Sequence, residues 1–405
     1  MRIRRRHALL LGLLLCSRLP AADWLLSADL RLVDSDAERS FVKGGADPVR
    51  FDGADGLVQL GRLRFALDAP VGERWSAHLD VSAWDDHDKV PAGPTEAYLL
   101  FRPYPWNGYR LRLRLGEFYA PISLENRASG WESPYTLSFS AINSWLATEV
   151  RTVGLETSLE WLGTRRGHAF DLAATGGVYG WNDRIGVSLA LDGFQLHDRQ
   201  TPFFGRLGPA RTAPLFGAQP FTEIDHRAGV YGGLEARVLD RLVLRVLRYD
   251  NRADPADYDS VSNVIAWQTR FTSAGARLES ESGWTGIVQW LDGSTVIAPP
   301  PNLYLEWPFR AAFGLVSKRL GRHTLSARYD QFEVDSNIPT GAGYERGHAL
   351  TAAWMFNASA RWRLALEWLR VRSYSENREE AGGESFATDN QLQFSVRYTL
   401  GSMAR

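Results

Sequence analysis

The sequence predicts an all-β protein, a transmembrane antiparallel β-barrel for which sixteen strands are expected and eighteen is the next choice. Three observations carry this. Segments of about ten residues alternate between polar and apolar side chains, the length at which a tilted strand crosses a hydrocarbon core. Stretches rich in Gly, Pro, Asn and Asp separate those segments. The chain also opens with an export signal.

That signal comes first in chain order. Met1-Arg2-Ile3-Arg4-Arg5-Arg6-His7 is basic, Ala8–Leu15 is apolar, and Cys16-Ser17-Arg18-Leu19-Pro20-Ala21-Ala22 ends on small residues. This is the layout of a secretory signal peptide over residues 1–22, and its apolar stretch is too short to span a bilayer. Lipoprotein processing at Cys16 would need a small residue before it, and Leu15 is not small. The whole chain has 46 basic and 47 acidic residues; losing Arg2, Arg4, Arg5, Arg6 and Arg18 leaves a mature chain of net charge -6 without cysteine. A balance this close argues against nucleic acid as a partner. With one cysteine there is no disulfide framework, and no Cys/His spacing suggests zinc. No apolar run reaches the roughly 18 residues of a membrane helix, so a multi-helix membrane protein is excluded.

Beyond the leader the period is two. Arg74–Ala83, Tyr109–Leu115 and Gln391–Leu400 alternate without a break. Weaker alternation recurs at 25–33, 57–67, 95–102, 150–161, 168–175, 184–192, 228–238, 241–249, 264–278, 284–291, 309–319, 323–333, 348–357 and 361–372. That makes seventeen segments, so an even barrel requires one of them to be false or one more to be missing. Sixteen strands over the mature chain leave about 24 residues for each strand and its connection, enough for short turns and long loops. In 361–372 the phase slips, because Arg370 and Arg372 fall on the apolar parity of Trp362 and Trp368; a bulge or the lipid–water boundary would explain it. Aromatics near segment ends (Trp75, Trp84, Trp161, Trp181, Trp290, Trp307, Trp362, Trp368 and Tyr398) fit girdles at the two headgroup levels. His78 and His323, inside alternating segments, read as polar lumen residues.

Two features point to a pore. Arg110, Arg112 and Arg114 share one face of their segment and Leu111, Leu113 and Leu115 the other. Guanidinium groups are costly against lipid, so the arginines are expected to line the lumen, where fixed positive charge favours anions. The competing reading is plain pairing with lumen acids such as Asp80, Glu96, Glu156 or Glu160, since Arg is the chain's default cation beside only Lys43, Lys89 and Lys318. The polar-aromatic stretch that follows, near 117–145, has no alternation and is long enough to fold inward. Its constriction candidates are Glu117, Tyr119, Glu125, Arg127 and Glu132. The acidic loops at Asp250–Asp259 and 84–88 lack a calcium-loop pattern and read as solvated. Histidines are scattered singly and no Gly-x-Ser-x-Gly occurs, so no catalytic site, metal or cofactor is expected.

The stretch Leu111-Arg112-Leu113-Arg114-Leu115-Gly116-Glu117-Phe118-Tyr119-Ala120-Pro121-Ile122-Ser123-Leu124-Glu125-Asn126 resembles the Gly-x-Phe-x-x-Pro-x-x-Leu-Glu segment of the phosphate-selective porin O and P superfamily. Ser140–Trp145 and Arg151–Glu156 look like that family's entry into the next strand, and the resemblance covers about residues 110–161. It implies a sixteen-stranded homotrimeric porin with an inward third loop. The phosphate-specific members use lysine clusters that this chain lacks. The chain also departs from the usual aromatic ending of such barrels: its last alternating segment stops at Leu400, before the tail Gly401–Arg405.

The expectation is therefore a porin of the bacterial outer membrane, passing small hydrophilic solutes passively with a preference for anions, and not an enzyme. Its expected partners are outer-membrane lipid, lipopolysaccharide and the barrel-assembly machinery. The alternatives are a barrel enzyme, which needs a Ser/His or Asp/His pair at the rim, and a non-conducting adhesin or structural barrel.

Overall fold

The computed structural model describes residues 22–85, 91–205, 220–261, 264–338, 343–380 and 382–403. The expected signal peptide, apart from Ala22, and part of the 84–88 loop lie outside them. The first strands are β1 (Asp23–Ser35), β2 (Val58–Pro70), β3 (Trp75–Ala83), β4 (Ala92–Phe101), β5 (Tyr109–Tyr119) and β6 (Arg151–Trp161). Next come β7 (Phe170–Gly180), β8 (Gly229–Val238), β9 (Leu242–Asp250) and a two-stranded ribbon, β10 (Tyr258–Asp259) and β11 (Val264–Ile265). The rest are β12 (Gln268–Glu279), β13 (Trp284–Ile297), β14 (Leu305–Leu320), β15 (His323–Val334), β16 (Glu345–Asn357), β17 (Trp362–Ser375) and β18 (Phe386–Ser402).

All but the ribbon form one closed antiparallel barrel of sixteen strands in sequence order, sealed where β1 pairs with β18. Closure pairs the strands' backbone N–H and C=O groups laterally around the ring, which is what permits a sheet to sit in lipid. Short turns such as 71–74, 239–241, 280–283 and 321–322 join the strands at one end; the long connections 36–57, 120–150, 181–228 and 251–267 lie at the other.

Sixteen of the seventeen alternating segments are strands of the barrel. The false one is 184–192, which holds a short helix, Val187–Asp192, buried inside the ring. Its alternation is local, with no neighbouring edge to use, because β7 pairs directly with β8. The buried Glu149 carboxylate instead takes the N–H groups of Gly186 and Ser188 at 3.0 and 2.8 Å. Gly186, at φ 100°, turns the chain into the helix.

Alternation assigns the faces. Leu26, Leu30 and Leu32 of β1 point outward, while Asp29 and Arg31 between them are buried in the lumen. β17 pairs with β16 and β18 without a register shift through Arg370 and Arg372, so no bulge causes the phase slip there. Both arginines face outward at the long-loop end, where the apolar band stops. At the short-turn end Trp75 stacks near Phe101 (4.8 Å) and Trp362 near Tyr398 (4.6 Å), as an interfacial girdle requires.

Three sequence readings need correction. Trp84 and Trp307 are buried inside, against Arg62 and Trp267 respectively, because loops fold over them. His323 lies outside the barrel, stacked on Phe356 and accepting a hydrogen bond from Trp354 Nε1 at 3.1 Å. The final strand also does not stop at Leu400, since Gly401 and Ser402 pair with Leu25 and Trp24.

Candidate functional site

The lumen has two chemically distinct sides. Along β9 and β12–β15 many inward positions are apolar, among them Leu247, Phe271, Leu291, Phe309, Phe313 and Phe332. Against this side rests the 120–150 connection, whose helix Ala141–Thr148 is buried throughout. Ser140 caps it, its Oγ accepting from Asn143 N at 3.3 Å. Trp145 packs edge-on to Phe271 and Phe309, at 5.2 and 5.1 Å.

Polar pins fix the same connection across the barrel. Gln289 of β13 bonds the backbone at both Leu124 and Ile122. Glu367 of β17 accepts the N–H groups of Leu137 and Ser138, and Asp330 of β15 accepts that of Ala141 at 3.1 Å. Arg328 donates to Glu125, Asp330 and the carbonyls of Ser138 and Phe139, all at 2.8 Å. Wall side chains thus meet backbone groups of the connection that its own secondary structure leaves unpaired.

The other side, at the seam of the ring, is charged. Arg31 of β1, Arg62 and Arg64 of β2, Arg363 of β17 and Arg397 of β18 converge with Arg50 from the 36–57 connection. They meet Asp29, Asp80, Glu132 and Asp198 in one continuous ion-pair network. Arg31 binds Asp29 (2.9 Å) and Asp198; Arg50 also binds Asp198 (3.0 Å). Arg62 reaches Glu132 (3.1 Å) and Asp80 (3.5 Å), and Arg64 reaches Asp80 at 2.5 Å. Arg397 bridges Asp29 (3.2 Å) and Glu132, with Arg363 at 4.0 Å from Glu132. Among the described residues of this network six guanidiniums face four carboxylates, an excess of two positive charges in a setting where screening is weak. Burial alone would raise the Glu132 carboxyl, but Arg397, Arg62 and Arg363 outweigh it and hold the group well below the usual carboxylate range. Nearby His197 is pushed down to about 3 by burial, so the ring is neutral; its Nδ1 accepts Arg199 N at 3.1 Å.

The space left between this wall and the connection is small. It is lined by Arg31, Arg62, Glu132, Phe139, Arg363 and Arg397 among others, and measures about 10 Å³, room for about one water. Toward the short-turn end a wider cavity of about 200 Å³ opens below Pro121, lined by Arg110, Arg112, Glu160, Asp171, Glu235 and Arg245.

These two places sort the residues expected from sequence. Arg110, Arg112 and Arg114 face inward, each paired: Arg110 and Arg112 with Glu160 (3.1 and 3.4 Å), Arg114 with Glu156 (2.7 Å). Arg110 and Arg112 line the wider cavity, while Arg114 is packed over Phe118 and Tyr98. Glu132 is in the arginine network. Glu125 is fully buried as an anchor, holding Arg328, Ser140 N and Asn143 Nδ2. Arg127 pairs with Glu279 of β12. Glu117 shares the parity of Leu111, Leu113 and Leu115 and pairs with Arg151 at 2.7 Å; Tyr119 accepts from Arg151 and stacks on Trp131 at 4.1 Å. That last group stands where β4 and β5 stop pairing, above Ala97 and Glu117, and the chain near 201–203 fills the gap through Phe203 N to Pro94 O at 3.0 Å.

Arg31, Arg62, Arg64, Arg363 and Arg397 went unnoticed in the sequence reading. Their signal is the one that exposed 110–114: Gly61-Arg62-Leu63-Arg64-Phe65 alternates just as regularly. One further acidic group, Asp183, Glu223 and Asp225, brings its ligand oxygens within 4.8 Å of one another. Asp183 there spends Oδ2 on the N–H groups of Ile224 (2.5 Å) and Asp225 (3.1 Å).

No protein-family model and no curated protein matches the chain. Among solved structures it is similar to the outer membrane channel DcaP of Acinetobacter baumannii, at 11% identity and a TM-score of 0.55, over 94% of this chain and 96% of that one. It is also similar to an anion-selective porin from Comamonas acidovorans (12%, 0.53, 94% and 99%). The trimer form of OmpT, an outer membrane protein of Vibrio cholerae, compares equally (12%, 0.52, 94% and 99%). At these identities the likeness shows the fold: the chain is a closed sixteen-stranded barrel of the kind those outer-membrane proteins use.

Proposed function

We propose that the protein is an outer-membrane porin that passes small hydrophilic anions. Passage is controlled between the arginine wall of β1, β2, β17 and β18 and the inward 120–150 connection. One observation carries the reading: among the described residues, six buried or half-buried guanidiniums face four carboxylates at the seam, across the lumen from a wall rich in covered apolar side chains. Fixed positive excess at a narrow point concentrates anions and repels cations. Arg110 and Arg112 then line a wider periplasmic vestibule, the short-turn end being periplasmic in barrels of this kind. The homotrimer, and the phosphate-selective superfamily as its relatives, stand as part of the same proposal, as does the leader at 1–22.

The test is the reversal potential of the mature protein in planar bilayers under a salt gradient. Wild type is expected to favour anions. R62Q/R363Q/R397Q should move the potential toward cation preference, and E132Q further toward anions. Potentials that do not move in either variant would remove the wall from the selectivity mechanism. A second reading, a non-conducting structural barrel, is favoured by the cavity of about 10 Å³ at the wall, and an absence of conductance in wild type would establish it.

A further inference from the structure

The outward face of the barrel is as uneven as its lumen. On β9 and β12–β17 the lipid-facing parity ends, at the long-loop end, in six arginines: Arg248, Arg270, Arg310, Arg346, Arg370 and Arg372. They form a connected band. Arg248 lies opposite Thr272, Thr272 opposite Asp292, Asp292 opposite Arg310, Arg310 opposite Glu333 and Glu333 opposite Arg346. One row lower His348 lies opposite Arg372, and below that Leu350 lies opposite Arg370. The outward face of β1–β8 is mainly apolar there, with Leu32, Val58, Leu115, Leu155 and Val178 exposed, although β1 ends in Asp34. The one outward arginine there, Arg151, is buried against Glu117.

Arginine on a lipid-facing position is costly at mid-membrane and nearly free at the headgroup level, so this band marks that level. Protein carboxylates account for only part of it, since Asp250 lies opposite Arg270 and Asp292 opposite Arg310. Glu333 is held by Arg310 at 2.7 Å, and Arg248 bonds only Thr272 Oγ1 at 2.9 Å. Among the described residues Arg270, Arg346, Arg370 and Arg372 have no ion-pair partner. Arg346, Arg370, Arg372 and His348 therefore stand together on two adjacent strands, and the carboxylate opposite Arg346, Glu333, is already paired with Arg310. Guanidinium groups pair best with the forked oxygens of phosphate, and the phase that meets them here is a leaflet of lipid headgroups.

We infer that the outward face of β9–β17 at the long-loop end binds the phosphate groups of a glycolipid in the outer leaflet, that is, lipopolysaccharide. Arg346, Arg370 and Arg372 form the centre of this surface. The inference rests on the outer-membrane placement proposed above and not on the lumen conducting. The half without an arginine band, β1–β8, is left mainly for apolar contacts.

The experiment is native mass spectrometry of the full mature protein released from detergent micelles, with the bisphosphorylated lipid moiety of lipopolysaccharide as probe. Wild type should retain it, and R346Q/R370Q/R372Q should retain it about tenfold less. The dephosphorylated glycolipid should bind wild type as weakly as the variant binds the intact one, and millimolar inorganic phosphate should leave retention unchanged. The triple lysine variant, which keeps charge but not the fork, should fall between. Equal retention by the glutamine variant, equal binding of the dephosphorylated lipid, or displacement by free phosphate would each overturn the inference. The bilayer conductance of R346Q/R370Q/R372Q should match wild type, which also confirms that it is folded; R372Q alone serves if the triple variant does not assemble. Retention without conductance would refute the porin reading and leave this one standing.

Discussion

The apolar side of the lumen and the charged seam bind the same inward connection by different physics. Trp145, Ile142 and Leu146 rest on Phe271, Phe309 and their neighbours, a contact that gains from excluding water. At the seam only Glu132 and its neighbours reach the wall, through ion pairs whose attraction is largely cancelled by the cost of desolvating them. The contrast teaches a division of labour. Apolar packing and backbone pins hold the connection, which leaves the seam's charges for whatever passes beside them.

The comparison breaks most visibly at Trp145. Trp145→Ala deletes the indole that wedges the helix against β12 and β14, and such truncations cost about 3–5 kcal/mol. The barrel itself, held by its strand pairing, should still assemble. Unseating of the connection should appear as a rise in single-channel conductance with frequent substates. An unchanged conductance would mean that the polar pins at Gln289, Arg328 and Glu367 suffice alone.

A smaller effect separates the seam from the ladder on β5. In R110Q/R112Q/R114Q the charges removed face a cavity of about 200 Å³ rather than one of about 10 Å³. Water and salt in the wider space screen the change. The reversal potential should therefore shift toward cations in the same sense as in R62Q/R363Q/R397Q, but by less. An equal or larger shift would place the selective point in the vestibule.

Much of the barrel was readable because period-two alternation is a local property. β3, β5 and β18 declare their faces within a few residues, and strand number followed from counting them. The seam was not readable in that way. Arg31 and Arg397 are neighbours only because the last strand returns to pair with the first, putting Asp29 opposite Arg397. Three consecutive arginines on one face of β5 drew attention that single ones on β1 and β18 did not. The segment 184–192 misled because burial on both faces of a short helix within the lumen imitates alternation. Glu125 shows the limit for site residues: its place in the motif was legible, but its role as the anchor for Arg328 depends on a strand two hundred residues away.

The smallest effect tests the rim above the apolar side, where Asp183 ties the 181–228 and 251–267 connections. Its carbonyl accepts Trp267 N at 2.7 Å and its carboxylate the N–H groups of Ile224 and Asp225. Burial raises its pKa to about 6, with Glu223 and Asp225 adding repulsion against those two N–H donors. Because the folded value lies above the unfolded one, the folded rim binds the proton more tightly. Its stability therefore rises as pH falls through the folded value and levels off below about 4, the unfolded pKa. Hydrogen exchange of 222–226, corrected for the intrinsic pH dependence, should show slower opening at about pH 5 than at about pH 7. Asp183→Asn should abolish the difference, whereas the connection around Glu132, whose carboxylate is held ionised by arginine, should open equally at both. If the rim opens equally too, repulsion within the acidic group is not what limits it, and the two sides of the barrel differ in packing alone.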